Sequence, residues 1–68
     1  MSAYRLNNPI CAVVLGRKSQ TLTQLVASSV IRVIETSKEV HGAVNVECKG
    51  ERFSIFMTDL KLYGKFVH

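Results

Sequence analysis

The residues in this chain best suited to chemistry are basic, and the first group of them follows a glycine. Gly16-Arg17-Lys18-Ser19 sets two cations and a hydroxyl directly after an apolar run. Glycine lets a ligand approach the backbone closely. Cations beside the unpaired N–H groups of a helix start make an anion site. Phosphate is the matching ligand, with Arg17 and Lys18 as its contacts. A solvated polar connection is the plainer use of the same four residues. A second group lies downstream, where Arg52, Lys61 and Lys65 accompany Tyr63 and Phe56. On a shared sheet face the cations would meet phosphates and the rings would stack on bases, as single-stranded nucleic acid requires.

The string Val14-Leu15-Gly16-Arg17-Lys18-Ser19-Gln20-Thr21-Leu22 resembles the G-x-x-G loop of the KH nucleic-acid domain over about nine residues. Ser19 stands where that loop has its second glycine, so the resemblance assigns no fold. The earlier glycine of a Walker A loop is missing too.

Catalytic chemistry has less to stand on. Asp59 is the only Asp and falls in an expected turn, His41 falls near an expected helix end, and no Ser-His-Asp or Cys-His spacing joins them. Glu35 and Glu39, four residues apart, read as solvated charges on a helix surface rather than an acid–base pair. Cys11 and Cys48 form no C-x-x-C motif. They make neither a disulfide framework nor a zinc ribbon, and both sit in apolar runs as small hydrophobes. The expectation is a protein that is not an enzyme, with no catalytic residue, no metal and no cofactor.

Nine Lys and Arg against five Asp and Glu give a formal net charge of +4 over 68 residues. That balance favours anionic partners without naming one. The length fits one domain, residues 1–68, and a domain so short is marginal alone. The apolar run Ile10-Cys11-Ala12-Val13-Val14-Leu15 is too short for a signal peptide or a membrane span. The cysteine usage suits a reducing cytoplasm.

These groups need elements to position them. Residues 1–9 read as a flexible or edge-strand N-terminus, with Asn7-Asn8-Pro9 as a turn. The apolar run that follows, bounded by Pro9 and Gly16, reads as a strand covered on both faces. Leu22, Leu25, Val26, Val30, Ile31, Val33, Ile34 and Val40 recur at gaps of three and four, the stripe of an amphipathic helix from Thr21 to His41. Thr21, or alternatively Ser19, caps its start, and Gly42 ends it. Several β-branched residues weaken such a helix, so packing must hold it. Val44, Val46 and Cys48 then alternate with polar neighbours, as do Phe53, Ile55 and Met57. A two-residue turn at Lys49-Gly50 pairs Glu47 with Arg52, Val46 with Phe53, and Val44 with Ile55. A last strand is expected over Leu60, Leu62 and Phe66, with Lys61, Tyr63 and Lys65 facing outward.

The expected fold class is therefore α+β, in the order β-α-β-β-β, with one long helix on one face of a small, mostly antiparallel sheet. One helix covers one face only. Cys11, Val13, Leu15, Phe56 and Tyr63 would then need another cover, such as a second copy of the chain. The functional expectation is a basic, homo-oligomeric module that binds nucleic acid or phosphate through Gly16, Arg17, Lys18, Ser19, Arg52, Lys61, Tyr63 and Lys65. The alternatives are a small regulator or inhibitor docking on a larger protein, of the kind phages and mobile elements encode, and an oligomer that sequesters a nucleotide-like anion.

Overall fold

The computed structural model describes residues 2–67. Along the chain come β1 (Ala3–Leu6), β2 (Ile10–Val14), β3 (Thr21–Leu25), β4 (Val30–Thr36), β5 (Ala43–Cys48), β6 (Glu51–Phe56), the short helix α1 (Met57–Tyr63) and β7 (Gly64–Val67). The strands form one sheet in the order β3-β2-β6-β5-β4-β1-β7, with every neighbouring pair antiparallel.

The long helix expected from Thr21 to His41 is not there. Its residues form β3, a link over residues 26–29, β4, and a loop over residues 37–42. Thr21, Thr23, Val26, Val30, Ile31, Val33, Ile34 and Thr36 are all β-branched, and this is the composition of strands. Ser28 has φ 73°, which no helix interior accepts. Of the expected stripe, only Leu25 and Ile31 are buried, while Leu22 is 75% exposed. Gly42 does adopt a left-handed φ of 82°, but it ends a loop rather than a helix. Thr21 caps nothing; its hydroxyl reaches the Ser19 carbonyl at 3.5 Å as β3 begins.

Met57, expected on the second hairpin strand, and residues 58–63, expected as a turn and most of a last strand, form α1, and Leu60 is its buried residue. Residues 3–6 form a strand, but an inner one, between β4 and β7. The β5–β6 hairpin matches its expected register: Val44 faces Ile55, Val46 faces Phe53, and Glu47 faces Arg52. Lys49 and Gly50 both take positive φ, 52° and 82°, as a type I′ turn demands.

One sheet face carries the core. Leu6, Ile10, Ala12, Leu25, Ile31, Val44, Val46, Phe53, Ile55 and Leu60 belong to a single buried cluster. The sheet has to roll for this to happen. Laid flat, β3 would lie four strand spacings from β4, about 19 Å, and would end at the far end of the sheet from where β4 starts. The four residues 26–29 join them, and that link spans about 17 Å at full extension. Rolling brings the link against β1, where the Leu6 N–H donates to the Ser29 carbonyl at 2.9 Å and the Ser28 N–H to the Leu6 carbonyl at 2.8 Å. α1 closes the same region, since the Asn7 N–H donates to the Tyr63 carbonyl at 2.8 Å. Tyr4 and Phe66 meet edge to face, centroids 5.6 Å apart, where β1 pairs with β7.

The exit from α1 requires a glycine. A Cβ on Gly64 would stand 2.7 Å from the Leu60 carbonyl oxygen and 2.8 Å from Leu60 Cδ1. Gly64→Ala should therefore displace the one buried residue of the helix and destabilise the domain by about 1–3 kcal/mol, an ordinary overpacking cost. Urea denaturation at unchanged m-value measures this, and an unshifted midpoint would show that the helix end is free to relax.

Candidate nucleic-acid interface

Strands β1 to β6 each turn residues toward the core, and their alternate neighbours project from the other face. In β1 this face carries Arg5, because Tyr4 and Leu6 turn inward; in β7 it carries Lys65, directly opposite Arg5. In β4 it carries Arg32, opposite Glu47 of β5, and Glu47 in turn faces Arg52 of β6. Leu15, just beyond β2, donates its N–H to the Arg52 carbonyl at 3.0 Å, so the loop bearing Arg17 continues from this edge. The result is a basic band across the sheet: Lys65, Arg5, Arg32, Arg52 and then Arg17.

The band is under-neutralised. Glu47 forms an ion pair with Arg32 at 3.4 Å, with both side chains well exposed, so the bond is worth only about 0.2–1 kcal/mol. The expected partner of Glu47 was Arg52, which faces it across the hairpin but makes no ion pair among the described residues. Arg5, Arg17 and Lys65 have no carboxylate partner there either. Arg5 and Lys65 oppose each other directly, which costs stability in an antiparallel pair.

The residues singled out from the sequence are dispersed in part. Gly16, Arg17, Lys18 and Ser19 sit together in the β2–β3 loop, and Gly16 has φ 82°. A strand follows them instead of a helix, so no helix dipole serves an anion there. Arg52 lies on the outer face, but Lys61 and Tyr63 belong to α1, and Tyr63 packs half-buried against the core. Lys65 stands four strands from β6. Tyr63 thus stacks on no ligand from this face, and Phe56, 56% exposed on β6, is the aromatic ring that faces outward. Cys11 and Val13 share that face; Cys11 is exposed rather than a buried hydrophobe, whereas Cys48 is buried, and both are free thiols. Arg5 and Arg32 were missed as site residues. Arg5 was legible from the alternation of Tyr4 and Leu6, while Arg32 was hidden by the assumed helix.

Beside the band lies a groove of about 420 Å³. Its floor is one cross-strand row: Glu35 opposite Asn45, Asn45 opposite Ser54, and Ser54 opposite Val13. One wall is the β2–β3 loop with Arg17, Lys18, Ser19 and Gln20; the other is the β4–β5 loop with Ser37, Lys38, Glu39 and Val40. Ser37 shapes that second wall, its hydroxyl oxygen accepting from the backbone N–H groups of Glu39 at 3.3 Å and Val40 at 3.1 Å. His41 follows in the same loop, and Asp59 lies in the first turn of α1.

Among the described residues, no three His, Cys, Asp or Glu side chains gather as a metal site. No helix there is long and apolar enough to cross a membrane. Replacing Lys65 by Glu should convert a repulsive cross-strand pair into an attractive one with Arg5. We expect Lys65→Glu to stabilise the fold by about 0.2–1 kcal/mol, read as a raised denaturation midpoint at low salt that converges with the parent at high salt. An unchanged or lowered midpoint at low salt would mean that the two cations do not interact. No protein family, curated protein or solved structure matches this chain.

Proposed function

We propose that this protein is a non-enzymatic module that binds single-stranded nucleic acid across the outer face of its rolled sheet. The observation that carries the reading is the band Lys65, Arg5, Arg32, Arg52 and Arg17, whose cations outnumber the carboxylates beside them, Glu47 across the strands and Glu51 next to Arg17 and Arg52. Such a line of charge follows a phosphate backbone. Phe56 on the same face offers an exposed ring for a base, and base–aromatic stacking is sequence-tolerant. The like-charge contact of Arg5 with Lys65 is relieved when a phosphate bridges them.

Binding of a mixed oligonucleotide should weaken steeply with added salt. For single strands each phosphate contact contributes about 0.7 to the slope of log K against log salt. The double variant Arg5→Ala, Arg52→Ala should flatten that slope by about 1.4, two contacts' worth. Phe56→Ala should cost about 1–3 kcal/mol of affinity for each base it stacks and leave the slope unchanged. Undiminished binding by the Arg5, Arg52 variant would remove the band as the interface.

We also infer that copies of the chain associate through β3. This strand is an edge, its sequence Thr-Leu-Thr-Gln-Leu has no charge and no Pro, and four of its five residues are exposed. Soluble proteins usually guard an edge with Lys, Pro or a bulge. A two-fold pairing of β3 with β3 would cover Leu22. Native mass spectrometry should show a dimer that Leu22→Lys dissociates. A monomeric parent chain at micromolar concentration would refute this association without touching the nucleic-acid reading.

A further inference from the structure

We propose that the groove between the β2–β3 and β4–β5 loops, which shares Arg17 with the basic band, is a small-molecule site, and that its ligand class is a guanine mononucleotide. A β-bulge shapes the floor of this groove. Val33 pairs with Val46 and Glu35 with Asn45, so Ile34 is an extra residue in β4. In a regular strand Ile31 and Val33 turn inward, Ile34 would turn outward, and Glu35 would turn inward with Val44. The bulge reverses the phase and sets Glu35 on the outer face beside Asn45. Bulges re-aim side chains in this way next to sites.

The groove is polarised as a result. At the β2 end stand Arg17 and Lys18, two cations with no carboxylate partner among the described residues. At the β4 end stand Glu35 and Glu39 with Lys38, two carboxylates against one ammonium. Between them lie Asn45 and Ser54, half-buried, and neither side chain takes part in the hydrogen bonds found among the described residues. Val13 and Val40 supply apolar surface. The volume, about 420 Å³, falls in the range of small-ligand sites. The row from Glu35 to Val13 covers three strand spacings, about 14 Å.

A ligand that fits carries negative charge at one end and hydrogen-bond donors at the other. A nucleoside monophosphate does so, with its phosphate on Arg17 and Lys18. The donor end selects the base. A carboxylate only accepts, and it accepts best from two parallel N–H groups. Guanine presents two neighbouring donors on its Watson–Crick edge, N1–H and the N2 amino group, whereas adenine presents one exocyclic amine beside an acceptor. Glu35 therefore favours guanine, with Asn45 and Ser54 placed to meet the ribose or the remaining base edge.

Calorimetric titration of the full chain with GMP and with AMP tests the site. GMP should bind at least tenfold tighter than AMP. Glu35→Gln should erase that preference by weakening GMP while leaving AMP as it was, and Arg17→Ala with Lys18→Ala should weaken both nucleotides. Glu35 is exposed, and an unchanged melting curve for Glu35→Gln keeps the comparison fair. Equal binding of GMP and AMP, binding of neither, or a preference that survives Glu35→Gln overturns the proposal. An oligonucleotide containing only adenine and thymine reports on the basic band separately, so failure of the groove and failure of the polymer interface give different results.

Discussion

The buried cluster sits on one side of a single sheet, and among the described residues a seven-residue helix is the one helix to place against it. A flat sheet in that position would leave its apolar face in water. Rolling is the remaining way to cover it, and the link of residues 26–29 enforces the roll, because no flat arrangement lets it reach from β3 to β4. Leu6, Ile31, Val44 and Val46, the largest fully buried side chains, come from the adjoining strands β1, β4 and β5. Leu60 reaches the same cluster from α1. The backbone bonds from residues 28 and 29 to Leu6 then hold the curled edge to the body of the sheet. A bond between main-chain groups away from bulk water is costly to break without a replacement, so this contact and the apolar cluster support one another.

The roll decides where function can lie. Its interior is filled by side chains from six strands and the helix, and no buried side-chain nitrogen or oxygen among the described residues is left without a partner. A chain of this length has no inner surface to spare for a ligand. Every strand, however, still presents its alternate residues outward. Arg5, Arg32, Arg52 and Lys65 arrive on that face because their neighbours Tyr4, Ile31, Phe53 and Phe66 are apolar, so core alternation and the spacing of the positive charge have one origin. The bulge at Ile34, the one register shift among the described strands, is also where a carboxylate is turned onto the floor of the groove.

The sequence was informative where contacts are local and registered by a short turn. In the β5–β6 hairpin, the placement of Val44, Val46, Phe53 and Ile55 around Lys49-Gly50 admits one register, and that register is the one formed. It misled where two strands followed in altered phase. Leu22 and Leu25 belong to β3, Val26 to the link, and Val30, Ile31, Val33 and Ile34 to a strand carrying an extra residue. The doubled apolar pairs Val30-Ile31 and Val33-Ile34 reproduce the three-and-four spacing of a helix, although their β-branched side chains prefer a strand. The opposite error fell on residues 57–63, where a helix of two turns is too short to show its period and Leu60 with Leu62 looks like strand alternation. The candidate site suffered in proportion. The glycine-led basic loop is a local feature and survived as a unit, while the pairing of Arg52 with Lys61, Tyr63 and Lys65 depended on strand order and did not.

Strand order is hard to read in this chain for a physical reason that also bears on its function. Antiparallel pairing is satisfied equally well by many partners, and the rolled sheet joins β2 to β6 and β1 to β4 across long stretches of sequence. Contacts of that kind leave no local trace. The same long-range pairings bring Arg17, from the first third of the chain, to the edge of β6, and bring Arg5 opposite Lys65 from the two ends. No short motif could mark such a surface, because none of its cations is close in sequence to the next across the band. A line of charge assembled this way suits recognition of a polymer better than of a point, since each side chain contributes a modest, screened attraction and the sum depends on their alignment. The groove follows the other logic: two adjacent cations on one loop face a carboxylate set by a bulge, so the selectivity proposed for it rests on one donor–acceptor match rather than on accumulated charge.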